Sequence, residues 1–126
     1  MTGITRKIDE LAKRAIAIGI TELVRGARGT AVSFTIPKLI KTAAGVEEDI
    51  ATLRKTPISM TIVKHYLNTL ISNNVVTINV ELKLDGKRRV HKYFMYRDGN
   101  AVWGLAKEDS SKAVEYLMNA MGDSNA

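Results

Sequence analysis

At 126 residues the chain is one domain's worth, long enough to bury about two thirds of the surface it exposes unfolded. Apolar residues at 45% and charged residues at 25% are ordinary for a globular protein, and the lack of Cys excludes disulfide frameworks, thiolate zinc sites and cysteine nucleophiles. Nineteen Lys and Arg against thirteen Asp and Glu leave a net charge of +6, which favours a polyanionic partner, most commonly nucleic acid for a domain this small.

The sequence also contains no Gln, and its Lys, Arg and Glu are interspersed, a composition that leans toward a hot-environment source. Met1 to Arg14 alternates charged and apolar residues, unlike the apolar core of a signal peptide. No run approaches the roughly 18 apolar residues of a membrane span. A cytoplasmic protein without membrane association is expected.

In chain order, residues 4–25 read as a long amphipathic helix. Ile4, Ile8, Leu11, Ala12, Ala15, Ile16, Gly19 and Leu23 line one side, and Gly26 stands as a stop. Ile18, Ile20 and Val24 widen the apolar stripe. That width suits either a dimer partner or burial on two sides within the monomer. Residues 31–35 suit a short strand. Residues 36–45 suit a helix capped by Thr35, with Pro37 in its first turn. Residues 46–55 suit another, with Glu47, Glu48 and Asp49 at its start, Arg54 and Lys55 at its end, and Ile50, Leu53 and Val46 facing inward.

The stretch from Thr56 to Asn74 is a further amphipathic helix, with Thr56 or Ser59 as cap and Asn73-Asn74 as a left-handed end. Ile62, Val63, Tyr66, Leu67, Leu70 and Ile71 form its apolar face. Ser59, Thr61, Lys64, His65 and Asn68 fall mainly opposite, as candidates for meeting a DNA major groove, where Asn pairs with adenine and Lys with guanine or phosphate. From Val76 to Leu84 the period becomes two, and Asp85-Gly86 signals a hairpin. The return strand spans Arg88 to Arg97. Asp98-Gly99 is then expected to turn the chain into a third strand, Ala101 to Leu105, completing an antiparallel meander. Residues 108–121 close the chain as a helix, capped by Asp109 or Ser110.

The positive charge is also localised. Lys83, Lys87, Arg88, Arg89, Lys92 and Arg97 share a segment with Asp85 as its only acid. Lys87, Arg88 and Arg89 fall at the hairpin tip, where long cationic side chains straddle a phosphate backbone or enter a minor groove. Lys38 and Lys41 are placed to touch backbone phosphates. The aromatics Tyr93, Phe94, Tyr96 and Trp103 are expected in the core rather than stacked on bases. Catalysis finds no motif: there is no GxSxG, phosphate-binding loop or HExxH, and His65 and His91 lack a ligand constellation. Neither enzyme activity, a metal nor a cofactor is expected.

The run Ser59 to Val76 resembles the recognition helix and start of the wing in winged helix-turn-helix transcriptional regulators of the MarR-like and ArsR-like kind. In those families a Ser/Thr-rich start precedes a Val, two DNA-facing polar residues, spaced leucines and a Gly. Val63, Lys64, His65, Leu67 and Leu70 occupy those places, and Asn74 stands where Gly is usual. Asp85-Gly86-Lys87-Arg88 resembles the acidic-basic wing tip, although the longer wing signature is not reproduced. The resemblance covers residues 35–97. In size and composition the chain is also similar to small winged-helix proteins of hyperthermophilic archaea and their viruses.

The resemblance implies an α+β winged helix-turn-helix domain over residues 1–126, with a β-hairpin wing and flanking N- and C-terminal helices around a motif core at residues 31–97. A homodimer is expected, joined through the N-terminal helix, the C-terminal helix or both, that binds double-stranded DNA and regulates transcription. The alternative is a winged helix used for protein assembly without DNA. Either 36–44 or 47–55 suits the helix that precedes the recognition helix, and the second is preferred.

Overall fold

The computed structural model describes residues 3–55, 57–73, 78–86 and 88–122, and the side chains of all of these except 3–6 and 85. The expected features at Thr56, Asn74, Val76 and Lys87 lie outside the described residues. Within them the chain forms six helices and a three-stranded antiparallel sheet, an α+β arrangement compatible with a winged-helix-like class.

Helix α1 (Gly3–Arg25) runs through the middle of the domain, touching every other helix: α2 (Ile36–Ala44), the 3-10 helix at Glu48–Lys55, α3 (Pro57–Asn73), α4 (Ala101–Glu108) and α5 (Ser110–Ala120). Its unusual apolar width follows from that position. Ile18, Ile20 and Val24 are all buried within the monomer, so the chain itself supplies the second packing surface that the wide stripe requires. Small residues let the neighbours come close. A Cβ on Gly19 would lie 2.6 Å from Leu39 Cδ1 and 2.8 Å from the Leu39 carbonyl oxygen, so α1 and α2 meet almost backbone to backbone.

Two polar ties fix helices to α1. Lys13 is buried, and its Nζ donates to the Gly122 carbonyl at 2.5 Å, just past the end of α5, while lying 5.3 Å from the centroid of the Tyr66 ring. Arg14 donates through Nε to Glu47 Oε2 at 2.9 Å and through Nη2 to Glu47 Oε1. Hydrogen bonding from Arg14 holds the Glu47 carboxyl below its usual range, so this pair's contribution is lost as pH falls through that range. Both side chains are more than a third exposed, which keeps the contribution to about 1 kcal/mol or less.

Tyr66 supplies a sharper pH dependence. Burial, then the charge of Asp9 and a hydrogen bond to it, push its phenol from 10.0 up to about 12. The unfolded chain therefore releases this proton first, and stability falls as pH rises through the window between those values. Denaturant titrations of Tyr66→Phe across that window should show a flatter decline than the wild type. Equal slopes would mean that the phenol ionises freely in the folded state.

Strand β1 (Ala31–Phe34) pairs antiparallel with β3 (Arg88–Tyr96), and β3 pairs antiparallel with β2 (Ile78–Asp85), giving the order β1-β3-β2. Phe34 lies opposite Tyr93, their rings stacked at 5.5 Å, and Ile78 and Val32 both oppose Met95. This face of the sheet meets the core. Burial raises the Tyr93 phenol as well.

The sheet corrects the expected meander. Residues 101–105 are not a strand; they open α4, whose Asn100 cap accepts from the Val102 amide at 2.9 Å. Val102, Trp103 and Ala106 are buried on one face at helical spacing. β3 already has a strand on each side, so β1 occupies the place the meander strand would have taken. Gly99, at φ +75, turns the chain out of the sheet, and its left-handed backbone is one that glycine adopts without strain.

Asp109 ends α4 and caps α5, its Oδ1 accepting from the Ser111 amide at 3.0 Å, so the expected 108–121 helix begins only at Ser110. The segment preferred as the motif's first helix, 47–55, is instead a 3-10 helix at Glu48–Lys55 that buries Ile50 and Leu53, and Val46 is exposed rather than inward. The regular helix ahead of α3 is α2, with Thr35 Oγ1 accepting from the Lys38 amide and Gly45 closing it in a right-handed conformation.

Candidate nucleic-acid interface

Helix α3 buries Ser59, Val63, Tyr66, Leu67 and Leu70, residues spaced to share one face. Thr61, Lys64, His65 and Asn68 are left exposed on the opposite side. Ser59 therefore belongs with the core and not with the outward group: it sits four residues before Val63, on the same stripe, and is 1% exposed. The His65 ring packs edge-on against Tyr66 at 5.1 Å, and the Thr69 hydroxyl donates to the His65 carbonyl.

The hairpin of β2 and β3 closes with Asp85 opposite Arg88 and Leu84 opposite Arg89, Gly86 standing at φ +63 in the turn. Arg88 and Arg89 are exposed. Between this hairpin, the start of α2 and the outer face of α3 lies a cleft of about 580 Å³. It is lined by Thr35, Ile36 and Pro37, by Met60, Thr61 and Lys64, and by Arg88, Arg89, Val90 and His91. Among the described residues that line it there is no carboxylate. Pro37 also borders a second groove of about 690 Å³, lined by Lys38, Lys41, Thr42, Gly45 and Arg54, again without an acid.

The structure thus brings Thr61, Lys64, Arg88 and Arg89 around one opening and places Lys38 in the adjoining groove. His65 and Asn68 stay on the outer face of α3 but outside the cleft lining, and Lys87 lies outside the described residues. The rest of the basic segment disperses. Lys83 Nζ lies 4.0 Å from Glu81, Lys92 lies 5.7 Å from the Phe94 ring centroid, and Arg97 donates to Asp98 at 3.2 Å. His91 and Arg54 join the surface although the sequence marks them only as a strand residue and a helix-end cation. Their sole sequence signal is proximity to other basic residues.

The aromatics divide. Tyr93 and Trp103 are buried, while Tyr96 is 38% exposed on the sheet's outer face. Among the described residues no group of three or more His, Cys, Asp or Glu is placed to hold a metal ion, and no helix is long and apolar enough to cross a membrane.

Compared with known proteins, the chain matches no family model, and no curated protein or solved structure matches it significantly.

Proposed function

We propose that the chain is a winged helix-turn-helix protein that binds double-stranded DNA and regulates transcription. The observation that carries this reading is the cleft, with no acid among its described lining residues, that joins Lys64 and Thr61 of α3 to Arg88 and Arg89 of the hairpin. The order α1, β1, α2, 3-10 helix, α3, β2, β3, with sheet order β1-β3-β2, also supports it. In this reading α3 enters the major groove with Thr61, Lys64, His65 and Asn68 toward base edges. Arg88 and Arg89 follow the flanking backbone or the minor groove. Lys38 and the start of α2, where a helix N-terminus carries partial positive charge, face a phosphate.

The test is selection of bound duplexes from a random pool at stated salt, repeated with Lys64 and His65 both changed to alanine. Each lost base contact should narrow the gap between preferred and random duplexes by about 1–3 kcal/mol, with little change in binding to random DNA. Retention of no duplex at low salt would remove the reading. Unchanged preference in the double variant would move the base contacts off this face of α3.

A further inference from the structure

Strand β2 forms one edge of the described sheet and carries an apolar row that no described residue covers. Val80, Leu82 and Leu84 are 46%, 51% and 76% exposed on the same face as the buried Ile78. Glu81 and Lys83 alternate with them on the other face, each about half exposed. A long edge strand with an apolar face is a template for another strand. The pattern of charges identifies which one.

We propose that β2 pairs edge to edge, antiparallel, with β2 of a second copy of this chain, about a two-fold axis at Leu82. The inference stands apart from the DNA reading. In a two-fold antiparallel pair, opposed residues share a face, so the axis passes beside one residue and its own copy. Centred on Leu82, Leu82 meets its copy, Val80 meets Leu84, and Glu81 meets Lys83 twice. Centred on Glu81 or on Lys83, like charges face each other at the axis, which is destabilising. Centred on Val80, Glu81 meets the uncharged Asn79; centred on Leu84, Lys83 meets Asp85 but Leu82 runs onto Gly86 in the turn. Only the Leu82 centre therefore matches apolar with apolar and opposite charge with opposite charge over the whole of residues 80–84. The pairing is isologous and uses the free β2 edge of both copies, so it closes as a dimer with one continuous sheet in the order β1-β3-β2-β2-β3-β1.

Sedimentation of the full chain at high micromolar concentration should show a dimer. Glu81→Lys or Lys83→Glu alone places like charges opposite each other twice and should weaken self-association by roughly tenfold or more. Two further samples separate pairing from damage to the hairpin. The Glu81→Lys/Lys83→Glu double variant restores both pairs and should dimerise again. Mixing the two single variants should yield a heterodimer, because each then offers the charge the other lacks. A monomeric wild type would overturn the proposal and leave the edge to a different chain. It would also be overturned by single variants that dimerise undiminished, or by folded single variants that stay monomeric when mixed.

Discussion

Changing Arg88 and Arg89 together to alanine is expected to weaken retention of any duplex by about tenfold to a hundredfold at low salt, and to lower the slope of log affinity against log salt by about 2. Arg88 and Arg89 are exposed in a cleft whose described lining holds no carboxylate, which suits them to displace counterions from phosphates. The neighbouring cations provide the contrast. Arg97 is exposed as well but donates to Asp98, and Arg97→Ala should leave the slope close to that of the wild type. Changing Arg88 and Arg89 to lysine keeps the charge and should keep most of the slope, since a phosphate contact depends on charge more than on the guanidinium fork. Filter retention or anisotropy over a salt series measures all three. If the double alanine variant keeps the wild-type slope, the hairpin tip does not lie on the backbone.

The same contrast explains how much of the site was legible in the sequence. The run of cations between Lys83 and Arg97 marks the hairpin tip in the sequence but does not distinguish one basic residue from another. A neighbour one or two residues away, Glu81 for Lys83, Phe94 for Lys92 and Asp98 for Arg97, decides which of them stays available, and such local pairing depends on side-chain geometry. Ser59 is legible in the sequence as a core residue: four residues before Val63, it repeats the buried stripe of α3. Its small polar character suggested an outward place, but helical spacing governs its direction.

Period carried the rest of the reading. The helical period of α1 and α3 and the alternation of β2 mark those elements, because burial of one face imposes it. Residues 101–105 are too short for period to separate strand from helix, and Asn100 as cap settles them as α4. That β1 rather than this segment flanks β3 is a long-range pairing with no local trace. The 48–55 segment buries only Ile50 and Leu53, three residues apart, which is the repeat of a 3-10 helix and gives a regular helix too little to bury.

Gly19→Ala is expected to destabilise the fold by about 1–3 kcal/mol, against the usual direction for such a change inside a helix. Alanine ordinarily gains about 1 kcal/mol over glycine in a helix interior. Here the added methyl would meet Leu39 Cδ1 at 2.6 Å and the Leu39 carbonyl oxygen at 2.8 Å. The side chain can rotate away. The carbonyl belongs to the backbone of α2 and can yield only if α2 moves off α1, opening contacts made by Leu39, Ile40 and Ala43. Gly104, inside α4 with nothing within 4 Å of a built Cβ, is the matched control. Gly104→Ala should stabilise by about 0.5–1 kcal/mol, so the two substitutions should move urea midpoints in opposite directions. Because Ile36 and Pro37 at the start of α2 line the cleft, a displaced α2 should also weaken duplex binding in Gly19→Ala under conditions where it remains folded. A Gly19→Ala protein as stable as the wild type would mean that α1 and α2 do not pack at this distance, and the position of α2 beside α3 would lose its support.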